Sequence, residues 1–527
     1  MRVFALPTSL RPWMLVLVSS LLQILLFPVA GPLPVWRAAL AWFALAPLLA
    51  ALLPAERAWK LRDAAVLGYA AGVLWYMGTC YWIYQTMHQY GGLSAAMAYV
   101  VVFLFCLYLG LYHALFAVLI ALVRRGFGLS AALLAAPFLW IGVELARARV
   151  TSFPWNLLGY SQVDNSVLTQ LAPMAGVYGL SFVLVAVNAA IACALVLPKR
   201  RVAAVTAVAG ALVATVLQNV GTWNRPEPMV GTHKAVLMQP NLSVGVGSDE
   251  GIRADALSLQ LARLTLQASL LDQRPTSIAL WPESPSPFQT NRADFTAAAS
   301  FVAKEMRAPL IAGAVGIVPG AANGRLEHVY NSAALFTPQP GLTARYDKIH
   351  LVPFGEFVPY ASLFKFAGGL TQAVGTFDRG ESRTPLAAEG RSYGVFLCYE
   401  SIFGDEVRQF VANGAQVLVN LSDDGWYGDT SAPFQHINMA RMRAVENRRW
   451  LLRDTNNGIT AAIDPNGRVV ERMERHIRGA TAFRFDYRED LTFYTLHGDV
   501  FAYVCTLLGL LAVCFAAVRP AGEGQAQ

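Results

Sequence analysis

The stretch GVFLCYESIFGDE, residues 394–406, runs apolar up to Cys398 and then turns polar, with Glu400 two residues further on. A short apolar run closing on a polar turn reads as a buried strand leaving the core. The overlapping FGDEVRQFVANGA (403–415) has acids in its first turn and a glycine stop, which predicts a helix directly behind the strand. A thiol between a strand end and a helix is placed where α/β layers put their functional groups. The same punctuation recurs on both sides. HKAVLMQPN (233–241), TSIALWPESP (276–285), APLIAGAVGI (308–317), HVYNSAALF (328–336), AQVLVNLSDD (415–424) and GITAAIDPNG (458–467) each read as a strand. Leu257–Leu271, Asp294–Lys304 and HINMARMRAVENRRW (436–450) read as helices between them. Strands alternating with helices predict a layered α/β domain.

The rest of the chain is of another kind. Of the 527 residues 55% are hydrophobic and 14% charged, and the apolar excess lies outside the α/β stretch. Eight apolar segments are legible: Pro12–Ala30, Ala38–Leu53, Ala64–Ile83, Ala95–Val123, Leu129–Ala146, Met174–Leu197, Val202–Val220 and Val500–Val518. About 20 apolar residues cross a bilayer, so these predict eight transmembrane helices, the first retained, with no clear small-residue cleavage site after it. Three regions follow: a seven-helix domain at 1–221, an α/β domain at 222–491, and a final helix with a short tail at 492–527.

Basic residues orient the spans. Arg2, Arg11, Arg57, Lys60, Arg62, Arg124, Arg125, Lys199, Arg200, Arg201 and Arg519 fall on one side; Arg37, Arg147 and Arg149 fall on the other. Both termini are therefore expected in the cytoplasm and the polar domain outside, which in a bacterium is the periplasm. These loops account for much of the net charge of +7, and no arginine-rich helix or zinc spacing points to nucleic acid or metal. Neither a cofactor nor a metal is expected, and the protein is expected to be a monomer. Glu144 and Asn188, inside spans, are expected to join helices. SFPWNLLGY (152–160) is a candidate lipid contact on the outer side.

Cys398 is the one cysteine of the polar domain; Cys80, Cys106, Cys193, Cys505 and Cys514 lie in apolar segments. A free cysteine is most often a small core residue. Here a helix N-terminus follows and would favour a thiolate, and Glu400 is close. Two other strand ends carry charge. Glu283 follows Trp281-Pro282, where proline restrains the backbone, and Lys348 sits in RYDKIHLVPFGE (345–356). A carboxylate, an ammonium and a thiol together fit acyl transfer: base, oxyanion stabiliser and nucleophile.

WPES, YDKIHLVPFGEFVP and LCYES resemble the Glu-Lys-Cys signature of the nitrilase (carbon–nitrogen hydrolase) superfamily. With its apolar spans and the block NLSDDGWYGDTSAPFQHINMARMRAVENRRWLLRDTNNGITAAID, the whole chain is similar to the bacterial apolipoprotein N-acyltransferase family. The resemblance implies an αββα sandwich, with Glu283 as base, Lys348 as oxyanion stabiliser and Cys398 as nucleophile. It implies Glu356 as a support for Lys348 or the thiol, and Tyr399 and Glu400 as residues flanking the nucleophile. It also implies a reaction. A phospholipid, phosphatidylethanolamine for preference, gives its acyl chain to Cys398, and the thioester acylates the α-amino group of an apolipoprotein's S-diacylglyceryl cysteine. The loop 354–370, rich in aromatics (Phe354, Phe357, Tyr360, Phe364, Phe366), is expected to admit lipid, and Trp426 and Tyr427 to line the acyl pocket. The family's tryptophan after the Q-x-N turn has no counterpart in QPNLSVGVGSDEG (239–251). Two other readings share part of the pattern. A membrane-tethered amidase using water has the same triad without need of eight spans, and a transporter with a degenerate outer domain would be expected to lack a triad member.

Overall fold

The computed structural model describes residues 10–56, 58–197, 200–223, 227–244, 254–283, 288–319, 327–357 and 377–519. They fall into two compact units: Met1–Ile83, Tyr99–Pro226 and His497–Gln527 in one, Tyr84–Ala98 and Glu227–Leu496 in the other.

The second unit holds two six-stranded sheets. The first has the order β12 (Gly479–Phe485), β1 (His233–Gln239), β2 (Thr276–Trp281), β3 (Leu310–Pro319), β4 (Glu327–Phe336), β5 (Leu342–Asp347). The second has the order β11 (Val469–Arg472), β10 (Ala461–Ile463), β9 (Leu451–Thr455), β8 (Val417–Ser422), β7 (Arg391–Leu397), β6 (Leu386–Ala388). Parallel trios, β1-β2-β3 and β7-β8-β9, lie at the centre of each, with antiparallel strands outside. Period-two alternation sorts the side chains. Ala235, Leu237, Ile278, Leu280 and Leu335 join Val395, Leu397, Val419 and Leu421 in one core between the sheets. Their neighbours Val236, Met238, Ala279, Trp281 and Phe336 form a second core with helices Ala254–Ser269 and Ala293–Met306. Helices Gly404–Ala412 and Ala432–Asn447 pack beside the second sheet, giving four layers. At Gly404 a Cβ would press on Arg443 Nη1 and the Tyr494 hydroxyl, so a larger residue there would displace their side chains.

The sequence reading missed β5, β6, β9, β11 and β12. The sequence reading set Lys348 at a strand end without assigning the strand before it, and took 436–450 as helix throughout. In the structure that helix ends at Asn447, Arg448 turns left-handed (φ 48°), and β9 starts at Leu451.

The first unit is helical. Among the described residues, four helices are long and apolar enough to cross a membrane: Ala95–Val150, Leu168–Val196, Arg201–Thr222 and Val500–Val518. The first has 56 residues and breaks at Gly128, where φ is 85°. The segment read as Ala38–Leu53 is broken into Val35–Ala38, Ala39–Trp42 and Ala46–Leu52. Asn188 closes this break: Oδ1 accepts from the amides of Leu45 and Ala46, and Nδ2 donates to the carbonyl of Ala41. The lipid contact expected at 152–160 is not what the structure has. Residues 153–160 are buried, with Arg147 Nη1 donating to the Trp155 carbonyl and Glu144 Oε1 accepting from the Leu158 amide. Backbone without helical partners must find acceptors and donors inside, and these two charged side chains supply them.

Candidate functional site

Glu283, Lys348 and Cys398 each stand just past the end of a strand, β2, β5 and β7 respectively. Within the first sheet β2 and β5 run the same way, so Glu283 and Lys348 leave one edge together. Lys348 Nζ donates to Glu283 Oε1 at 3.0 Å and to Glu356 Oε1 at 2.8 Å. Asn331, on β4, donates from Nδ2 to the same two oxygens at 2.8 and 2.6 Å. The second oxygens are held by backbone: Glu283 Oε2 by the Asp423 amide (3.0 Å), Glu356 Oε2 by the Val352 amide (2.8 Å). Lys348 is 1% exposed. Burial alone would discharge it, but Glu283 and Glu356 outweigh that and hold its pKa well above the usual lysine value.

Cys398 is 6% exposed and has φ 45°, in the left-handed region. For a side chain with a Cβ this costs about 1 kcal/mol or more, so the surroundings must enforce it. Burial pushes its thiol pKa well up, the Glu283 carboxylate adds to this, and Lys348 works against it. The expected helix-favoured thiolate is therefore corrected. A tight turn, Cys398–Ile402, separates the cysteine from the helix at Gly404, and desolvation prevails over the helix end. The resting group is a thiol, and chemistry at it needs a base.

Glu400, fully buried, is the pin between the two sheets' strand ends. Oε1 accepts from the amides of Ile349 (2.7 Å) and His350 (3.0 Å), Oε2 from the amide of Leu397 (2.7 Å), and both from the Tyr346 hydroxyl. It thereby ties the residue before Cys398 to those after Lys348. Every partner is a donor, so the pocket fits a carboxylate even though burial raises its pKa. Glu400→Gln would face an amide N–H with an NH₂ group, and should cost about 2 kcal/mol. Thermal unfolding should show the loss.

Of the remaining predicted residues, Tyr399 is buried edge-on to Phe403 (5.3 Å). Tyr427 is buried edge-on to His436 (5.7 Å). Trp426 is half-buried, its ring 6.4 Å from Tyr90 and its carbonyl accepting from Thr86 Oγ1 (2.9 Å). Phe357 lies under the Arg379 guanidinium at 4.9 Å. Tyr360, Phe364 and Phe366 lie outside the described residues, as does most of the QPNLSVGVGSDEG turn.

Sequence reasoning also missed a buried polar group behind the cysteine. Asp424 accepts from Arg453 Nη2 (2.8 and 2.9 Å) and from Ser422 Oγ (2.9 Å), and lies 2.9 Å from His436 Nδ1. Burial works to raise the Asp424 pKa, but Arg453 and His436 hold it well below the usual carboxylate range. Asp423 beside it is pushed up to about 8 by burial and by Glu283. The only available signal was polarity inside apolar strand and helix patterns, Asn331 in HVYNSAALF and Arg453 in LLRDT.

A strand-end thiol beside a buried carboxylate–ammonium cluster on a two-sheet sandwich defines a class, and the carbon–nitrogen hydrolase signature matches residues 212–480. The signature of the apolipoprotein N-acyltransferase N-terminal domain matches residues 19–190. Apolipoprotein N-acyltransferase of Geobacter metallireducens is 34% identical over 512 residues, covering 94% of this chain and 93% of its own. The enzyme of Ralstonia nicotianae is 33% identical, covering 88% and 87%. Yeast Nit3, a member of the nitrilase superfamily, is 17% identical and covers 50% of this chain and 93% of its own, with a TM-score of 0.37. The chain belongs to the apolipoprotein N-acyltransferase family.

Proposed function

We propose that this protein moves an acyl chain from a phospholipid, preferably phosphatidylethanolamine, to the α-amino group of an apolipoprotein's S-diacylglyceryl cysteine. The observation that carries the chemistry is Lys348, buried and charged between Glu283 and Glu356, with its field felt at Cys398. Glu283 takes the Sγ proton as Sγ bonds to the ester carbonyl carbon. Lys348 and backbone N–H groups stabilise the oxyanion. The ester C–O bond breaks, and the lysophospholipid oxygen leaves with the proton from Glu283. The acceptor amine then attacks the thioester, loses its proton to Glu283, and the C–S bond breaks to restore the thiol. Glu356 holds Lys348, and Glu400 holds both loops. Tyr399, Trp426, Tyr427, Phe357 and Tyr360 are assigned to the substrate walls.

The eight-span reading, with both termini cytoplasmic and the hydrolase unit periplasmic, belongs to the same proposal. It is supported by the break at Gly128, which divides the longest helix into two, and by the shorter apolar helices Arg11–Leu25 and Trp36–Leu52. The seven-helix, hydrolase and final-helix regions are retained as 1–221, 222–491 and 492–527.

The test uses the full chain with phosphatidylethanolamine vesicles and a diacylglyceryl lipopeptide. Intact-mass spectrometry should find one acyl adduct on Cys398, lysophospholipid in equal amount, and then N-acylated peptide. Free fatty acid without acylated peptide would overturn the transfer reading in favour of hydrolysis.

A further inference from the structure

Helix Ala432–Asn447 is polar in sequence yet almost wholly buried, and one of its side chains reaches the backbone of the cysteine. His436, fully buried, places Nε2 3.1 Å from the Cys398 carbonyl oxygen and 2.7 Å from Ser401 Oγ. A carbonyl only accepts, so that contact requires the imidazole proton on Nε2. Nδ1 lies 3.0 Å from Arg453 Nη2, a donor, and 2.9 Å from Asp424 Oδ1, an acceptor that Arg453 also holds. Arg453 is fixed in turn by Asp424. The chain Asp424–Arg453–His436 thus ends on one peptide group.

That group is the bond between Cys398 and Tyr399. A trans peptide is planar, with its N–H opposed to its C=O. Whatever fixes the direction of the Cys398 carbonyl also fixes the Tyr399 amide, and a donor on the carbonyl polarises the amide further. The left-handed Cys398 is strained, and Glu400 holds only the Leu397 side of it. Resting on the thioester reading above, we infer that His436 is a positioning residue: it locks the Cys398–Tyr399 peptide plane so that the Tyr399 amide is presented to the oxyanion. Ser401 Oγ, on the same imidazole nitrogen, helps to aim the ring.

The experiment compares two reactions of one sulfur in the full-length protein. Acylation by phosphatidylethanolamine vesicles builds an oxyanion; alkylation by iodoacetamide does not. His436→Leu removes the donor, and first-turnover acylation at saturating lipid should fall by about 100-fold, as for loss of an oxyanion donor. The lipid concentration for half-saturation should hold within about twofold and the alkylation rate within about threefold, since neither depends on the oxyanion. His436→Gln can donate to the same carbonyl and should recover acylation to within about tenfold of wild type. If His436→Leu does not fold, His436→Asn, too short to reach the carbonyl, takes its place. Wild-type acylation in the donor-less variant, a parallel loss of alkylation and acylation, or a Gln variant as slow as Leu would each overturn the inference. An absent acyl adduct in the wild-type protein would overturn the thioester reading itself.

Discussion

Cys398→Ser should leave a folded protein that forms no acyl adduct and transfers no acyl chain, a loss of about 10⁴-fold or more. The two side chains differ by one atom, and a hydroxyl at this place keeps a hydrogen-bond partner in Ser422, so stability should stay within about 1 kcal/mol. The chemistry does not survive because a serine proton is far harder to remove than a thiol proton. Burial already lifts the thiol above its usual pKa, and the same burial acts on an alkoxide more severely. Intact-mass spectrometry after vesicle incubation reads the adduct, and thermal unfolding reads the fold. An acyl ester formed on the substituted hydroxyl at near wild-type rate would show that the base is stronger than a carboxylate in this setting can be.

Glu283→Gln should slow thioester formation by about 10³-fold, within the range for removal of a general base. The isostere keeps a carbonyl oxygen for Lys348 and Asn331, but it cannot take a proton, and its NH₂ would meet the Asp423 amide donor at the position of Oε2. The resting cysteine is a thiol, so the variant depends on hydroxide. Its residual rate should therefore rise about tenfold per pH unit from neutral toward the raised thiol pKa. Wild type should be flatter over the same interval. Single-turnover acylation across pH distinguishes the two, and a variant with the wild-type profile would remove Glu283 from the role of base.

The parts of this site that can be read from sequence are those that punctuate. Glu283 and Cys398 announce themselves because an apolar strand stops at them, and proline or a turn follows. Lys348 does so less plainly, since its strand, LTARYD, is exposed or half-buried over most of its length and carries no apolar run to stop at it. Asn331, His436 and Arg453 lie inside elements, where polarity marks them as exceptions without saying what they face. Their partners come from other strands and helices brought together only by the packing of two sheets. The protonation of the Cys398 thiol escapes sequence reading for a related reason. A helix end is visible in sequence, whereas the desolvation that outweighs it depends on depth, and depth belongs to the folded unit. In the apolar unit, too, length and hydropathy located the segments, but not the turning of 153–160 inward onto Glu144 and Arg147.

The left-handed, buried thiol also bears on survival of the enzyme between turnovers. Oxidants, disulfides and adventitious electrophiles all react with the thiolate, at a rate set by how much of it exists. With its proton retained by burial and only 6% of its surface open, Cys398 reacts with such reagents more slowly than an exposed thiol would. On the proposed mechanism its nucleophilicity is latent, released when a carbonyl and Glu283 meet at the sulfur together. A reactive group that must persist for many cycles is thereby kept inert by the same low-polarity setting that makes its activation demanding.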